Sequence, residues 1–156
     1  MPKIDIDSVP SRAGSGYPAP YGARFGGRGV RALGDAGGLT QFGARLVTLQ
    51  PGAMSSLRHW HEKEDEFLIV TDGALTLVDD GGAVPLGPGD CCAFPAGDPN
   101  GHHVVNRSDA PGTFLVVGSR IENEVAWYPD IDMKAVFEGR TVRFVRKDGS
   151  AIEKQE

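Results

Sequence analysis

The sequence predicts an all-β fold, an antiparallel sandwich or barrel of short strands. Three observations carry this. From residue 40 to 120, apolar runs of four to eight residues alternate with turn clusters. The runs are rich in β-branched and aromatic residues, and the clusters in Gly, Pro, Asn and Asp. The spacing leaves no room for the helices of roughly 10–15 residues that join parallel strands.

Taken in order, residues 1–38 hold nine of the 22 glycines and no helical period. They predict an extended N-terminal arm anchored by Tyr17, Tyr21 and Phe25, a strand or two laid along the body rather than a lid. Residues 39–120 form the barrel core. There ARLVTLQ precedes PGAM, EFLIV precedes TDG, ALTLV precedes DDGG, DCCAF precedes PAGDPNG, HHVVN precedes RSDAPG, and TFLVVG closes the series. Residues 121–156 are a C-terminal extension. Its first part, IENEVAWYPDIDMKA, has room for one short helical turn, broken at Pro129. A hairpin follows from about Ala135 to Val145, turning at Glu138-Gly139, and the polar tail KDGSAIEKQE is expected to be mobile.

A chain of 156 residues is one domain, long enough to bury roughly 68–70% of its surface. Net charge is −5 and the pI near 5.3. That balance disfavours nucleic acid and anionic membranes and leaves small molecules or proteins as partners. No apolar run approaches the roughly 18 residues of a membrane helix, and the N-terminus lacks the apolar stretch of a signal peptide. Cys91 and Cys92 are neighbours. They cannot staple the fold, nor do they form a zinc Cys-x-x-Cys pair. Two small side chains on opposite faces of a strand, in a cytoplasmic protein, is the expectation.

The four histidines fall in two clusters, His59 with His61 and His102 with His103. On a strand, His59 and His61 face one side about 6–7 Å apart and can converge on one ion, while Trp60 points away. The acidic turn that follows offers Glu62, Glu64, Asp65 and Glu66. Glu66 stands apart because it opens the apolar run EFLIV, where a charge needs a partner. Alternation places Glu66, Leu68 and Val70 on one face. In HHVVN it places His102, Val104 and Asn106 on one face and His103 with Val105 on the other. Three imidazoles and a carboxylate make a mixed N/O set suited to iron, manganese, nickel, cobalt, copper or zinc.

At these residues the sequence resembles the cupin family. The first cupin motif, G-x5-H-x-H-x3–4-E-x6-G, is matched by Gly52-AMSSLR-His59-Trp60-His61-EKED-Glu66-FLIVTD-Gly73, with one extra residue in its first spacer. The second, G-x5-P-x-G-x2-H-x3-N, is matched by Gly89-DCCAF-Pro95-Ala96-Gly97-DPNG-His102-HVV-Asn106, with two extra residues before the histidine. The H-x3-N spacing selects His102 over His103. The resemblance implies a double-stranded β-helix, or jelly-roll barrel, holding one divalent metal inside on His59, His61, Glu66 and His102. It also implies a homodimer. Gly73, Gly87, Gly89 and Gly97 sit where hairpins and corners need unusual backbone angles.

Fold does not fix function. The chain resembles small bacterial cupins grouped with mannose- and glucose-phosphate isomerases. That implies an isomerase or epimerase of a sugar phosphate or similar polar compound, with Arg45, Arg58 and Arg107 as candidates for a phosphate and Glu62, Glu64 and Asp65 as candidates for a base. An iron-dependent dioxygenase and a non-catalytic binding protein are the alternatives.

Overall fold

The computed structural model describes residues 3–139 and 141–152. It is almost entirely antiparallel β-structure. The strands are β1 (Arg12–Ala13), β2 (Arg28–Arg31), β3 (Phe42–Leu49), β4 (Trp60–His61), β5 (Glu66–Asp72), β6 (Leu75–Asp79), β7 (Gly82–Leu86), β8 (Cys91–Phe94), β9 (His103–Val105), β10 (Gly112–Ser119), β11 (Val125–Tyr128), β12 (Met133–Glu138) and β13 (Thr141–Val145). The longest α-helix is one turn, Leu33–Ala36. Among the described residues no helix is long and apolar enough to cross a membrane.

The strands form three sheets. The largest runs β1-β2-β3-β10-β5-β8, the second β13-β12-β11-β4 and the third β7-β6-β9. Its spine is the pairing of β3 with β10, unbroken from Gly112↔Leu49 to Ser119↔Phe42. Alternation along β3 and β5 buries Val47, Leu49, Leu68 and Val70 while Phe67 is left exposed. These side chains meet Leu75 and Val104 of the small sheet, and Phe114 of β10, in one core. Each such side chain adds about 1.5–3 kcal/mol on burial. A second core gathers Phe25, Leu57, Ala126, Tyr128, Met133 and Ala135.

Six of the predicted apolar runs are strands of this fold. β7 has no counterpart among them. Pro85 interrupts its pattern, and an edge strand tolerates the missing N–H because one side of its ladder is open. The short helical turn expected in 121–135 is absent. β11 occupies that stretch and pairs with β12 from Val125↔Val136 to Tyr128↔Met133. Val, Ala, Trp and Tyr in succession suit a pleated surface, and Ala126 and Tyr128 are buried where Trp127 is only partly so.

The hairpin of β12 and β13 forms as expected, with Glu138 opposite Thr141. The start of the polar tail folds back, Ala151 bridging Val145. Residues 153–156 lie outside the described residues. In the N-terminal segment, β1 and β2 extend the large sheet through β2 and β3. Tyr17 and Phe25 pack into the second core. Gly73, Gly89 and Gly97 adopt positive φ. Gly87 does not; its N–H is instead taken by Asp90 Oδ2 at 2.8 Å.

Candidate metal centre

Backbone pairing brings the histidines together. His59 and His102 form an antiparallel bridge, with His59 N–H on His102 O at 3.2 Å and the reverse bond at 3.0 Å. Residues directly opposed in this way project to the same face. Their rings lie 5.1 Å apart, and the His59 and His61 rings 5.0 Å apart. Gly97 fixes the neighbouring corner, its N–H donating to His61 O at 2.8 Å.

Glu66 opens β5 below these rings. His59, His61 and Glu66 each offer an atom, all within 4.8 Å of one another, a cluster able to hold a metal ion. His102 stands just outside this triad and joins it through Glu66, its Nε2 3.3 Å from Oε1. Glu62, Glu64 and Asp65 do not enter. Glu62 accepts from Trp127 Nε1 at 2.7 Å, Glu64 from the Ile121 N–H at 2.9 Å and Asp65 from the Ala96 N–H at 2.8 Å.

Hydrogen bonds orient the rings. His59 Nδ1 donates to Leu57 O at 2.9 Å, which leaves Nε2 as the lone-pair nitrogen. His61 Nδ1 faces Glu124 Oε1 at 3.6 Å, and its Nε2 faces Glu66 Oε2 at 3.9 Å. Nδ1 of both His61 and His102 is buried without a hydrogen bond. His103 points elsewhere, its Nδ1 donating to Ser56 O at 2.8 Å. The alternation expected of HHVVN holds: His102, Val104 and Asn106 are buried, while His103 and Val105 are partly exposed.

The electrostatics suit a cation. Burial, and then the neighbouring His61, hold the His59 imidazole down to about 3, so it is neutral at pH 7. Burial opposes ionisation of Glu66, but the His102 hydrogen bond and the adjacent imidazoles outweigh it and hold the carboxyl down to about 2. Burial likewise opposes a charge on His61, yet Glu124 and Glu66 raise its pKa. The residues present are therefore the neutral imidazole of His59, the imidazole of His61, which must give up a proton that Glu124 and Glu66 help it hold, and an ionised oxygen, an N/O set of the kind divalent transition metals take.

Glu124 is a residue the sequence did not single out. It is wholly buried, and its two oxygens accept the N–H groups of Glu62 at 2.8 Å and Lys63 at 2.9 Å. It lies 62 and 61 positions from these partners in a stretch with no period, so only the folded chain reveals it.

A cavity of about 360 Å³ adjoins the centre, with His61 and His102 in its wall. Cys91 and Cys92 also line it. They lie on β8 with Cys91 exposed and Cys92 turned partly inward against Leu68, the opposite-face placement expected. The three arginines considered for phosphate lie elsewhere. Arg58 pairs with Asp80 and Asp130, each at 2.9 Å. Arg107 is exposed at a separate groove beside His103, and Arg45 is exposed on β3.

Comparison with known proteins agrees with this geometry. Residues 45–118 match the Cupin domain family. No curated protein matches the chain. Among solved structures, the cupin-superfamily sugar phosphate isomerase of Silicibacter pomeroyi is 58% identical, with 97% of each chain covered and a TM-score of 0.95. A candidate sugar phosphate isomerase of Acidithiobacillus ferrooxidans is 24% identical over 95% of this chain and 90% of its own, with a TM-score of 0.77. The polyketide cyclase RemF of Streptomyces resistomycificus shares the fold at 22% identity, covering 96% of this chain and 89% of its own, with a TM-score of 0.60. The antiparallel strands, His59, His61 and His102 gathered on one face, and a relative 58% identical over 97% of both chains together make this chain a member of the cupin superfamily.

Proposed function

We propose that this cupin is a metal-dependent isomerase or epimerase of a small hydroxy-carbonyl compound, with one divalent transition metal held by His59, His61, Glu66 and His102. One observation carries the reading: His59, His61 and Glu66 converge within 4.8 Å, and the cavity of about 360 Å³ that they adjoin has the volume of a small-molecule site. The relative named as a sugar phosphate isomerase supports the reaction class.

The bound ion would supply Lewis acidity to adjacent substrate oxygens. The chain's own residues set the conditions for it. His59 presents Nε2 because Leu57 O holds the proton on Nδ1. His61 turns Nε2 towards Glu66 at 3.9 Å, with Glu124 Oε1 3.6 Å from its Nδ1. Glu66 brings the negative charge that offsets part of the cation's. Phe94 and Leu86 give the cavity part of its apolar lining. We place the enzyme in the cytoplasm as a homodimer, on its two free cysteines and on the family resemblance.

The test is twofold. Elemental analysis of protein purified without added metal or chelator should find about one divalent ion per chain, and the double variant His59→Ala/His61→Ala should lose it. The metal-loaded protein, incubated in D2O with a panel of aldoses, ketoses and hydroxy-ketones, should introduce deuterium next to the carbonyl carbon of one of them. Oxygen uptake with iron(II) and no deuterium exchange would replace isomerisation by oxygenation.

A further inference from the structure

Beyond the metal centre, whose ion would itself attract an anion, the cavity offers no cationic side chain to a phosphate. A phosphate ester is close to dianionic at neutral pH, and proteins hold it with arginine, lysine or converging backbone N–H groups. Here the polar wall beyond the histidines is Asp79, Asp98 and Asn100. Among the described residues no lysine or arginine lines it.

The two carboxylates are fixed in place. Asn100 Nδ2 donates to Asp79 Oδ2 at 3.2 Å, and the Asn100 N–H donates to Asp98 Oδ1 at 3.1 Å. Asn100 Oδ1 in turn accepts the Asp80 N–H at 2.9 Å. Asp79 Oδ1 holds the Gly81 N–H at 2.8 Å. Asp79 cannot swing away from an incoming anion without breaking two of these bonds, and Asp98, which is exposed, without breaking one. Arg58 cannot come to meet one, because Asp80 and Asp130 already clamp it. The network still leaves unused carboxylate lone pairs, which are acceptors for hydroxyl groups. Opposite them, Leu77, Leu86 and Phe94 offer an apolar surface to C–H groups.

We propose that this cavity selects an uncharged polyhydroxylated compound and turns away phosphate esters. This rests on the isomerase reading above and narrows its substrate to a free sugar or related polyol.

The test is calorimetric. Protein loaded with cobalt(II), its metal content measured first, is titrated with aldoses and ketoses, each as the free compound and as its terminal phosphate ester. The free form should bind at least about tenfold more tightly than its ester, since the two carboxylates repel a second anion beside them. The variant Asp79→Asn/Asp98→Asn should bring that ratio towards one. An ester that binds more tightly than its parent, or a ratio that the double substitution leaves unmoved, would overturn the proposal.

Should no member of the panel bind, Cys91 reports the same property directly. In Cys92→Ser protein, a cationic methanethiosulfonate should label Cys91 at least about fivefold faster than an anionic one, as the local potential dictates. Equal rates, or a faster anion, would also overturn it. Failure of the protein to take up cobalt would sink the metal-dependent reading alone, because the Cys91 measurement needs no ion.

Discussion

The ring of Phe94 lies flat against the imidazole of His102, with centroids 3.4 Å apart and planes within 3°. The stack pins the imidazole on the Glu66 side of β9, and the backbone bridge to His59 fixes its height. His103, one residue on, is bonded to Ser56 O on the other face. Replacing His102 by Ala should therefore weaken metal binding by more than about 100-fold, beyond the effect usual for an outer-shell partner. Replacing His103 by Ala should leave it within about threefold, inside the scatter of a residue that makes no contact with the ion. Competitive titration with a chromophoric chelator measures both. The opposite ranking would exchange the two histidines.

Glu124 supports the centre from behind. Removing its side chain leaves two partly buried N–H groups, those of Glu62 and Lys63, without acceptors. Glu124→Ala should cost roughly 1–3 kcal/mol in urea unfolding, the net worth of two hydrogen bonds whose donors are only partly buried. It should also lower metal affinity by about 10–100-fold through His61. Glu124→Gln keeps one acceptor and should recover part of the stability. Unchanged affinity in both variants would show that Glu124 serves the fold alone.

The contrast between these residues shows what the sequence could reveal. That His59 and His61 share a face was legible because alternation along a strand is local, Glu66 stood out by opening an apolar run, and the choice of His102 over His103 came from the family spacing H-x3-N. Glu124 was not legible: it meets the turn after His61 through the docking of β11 on β4, a long-range event with no local signature. The same applies to the fates of Arg58 and Glu62, which depend on Asp130 and Trp127 far along the chain. β11 itself was missed because Pro129 and the acidic residues around it mask a run of only four strand residues. The jelly-roll class followed from the family resemblance, while the order of the strands within the sheets was not legible in any single run.

The cysteines should be spectators at the metal. Cys91 and Cys92 line the cavity, but the nitrogen and oxygen donors lie on other strands. The double variant Cys91→Ser/Cys92→Ser should keep its metal content within error by elemental analysis. Burial raises the Cys92 thiol, so it has little thiolate at neutral pH. A fall in occupancy would place a sulfur among the ligands.

Acid should destabilise the metal-free protein through His59. Its folded pKa is lowered to about 3, chiefly by burial, so below the unfolded value of about 6.5 the unfolded chain binds the extra proton. Stability then falls by up to about 1.4 kcal/mol per pH unit between those limits, or about 2 kcal/mol by pH 5. His61 has the opposite sign: its raised pKa favours the folded chain in acid, and that gain is lost as pH rises through its folded value. The comparison with His59→Gln separates the two. Urea unfolding at pH 7 and pH 5 should show a smaller loss in the variant, and equal losses would remove His59 from the account.

The N-terminal aromatic anchor reaches further than its distance in sequence suggests. Tyr17 meets the edge of Tyr128 at 5.6 Å, and Tyr128 lies 6.0 Å from the His59 ring. All four candidate ligands fall inside the span matched to the family, yet the wall behind His59 is built from residues on either side of that span. A chain trimmed to residues 45–118 would keep every donor atom and lose Phe25, Tyr17, Tyr128 and Phe144, the aromatic backing of the first of them. In this cupin the unit that evolution can transplant as a metal site is thus larger than the motif that marks it. Grafting the two motifs onto another barrel would carry over the ligands without the scaffold that holds His59 neutral and aimed.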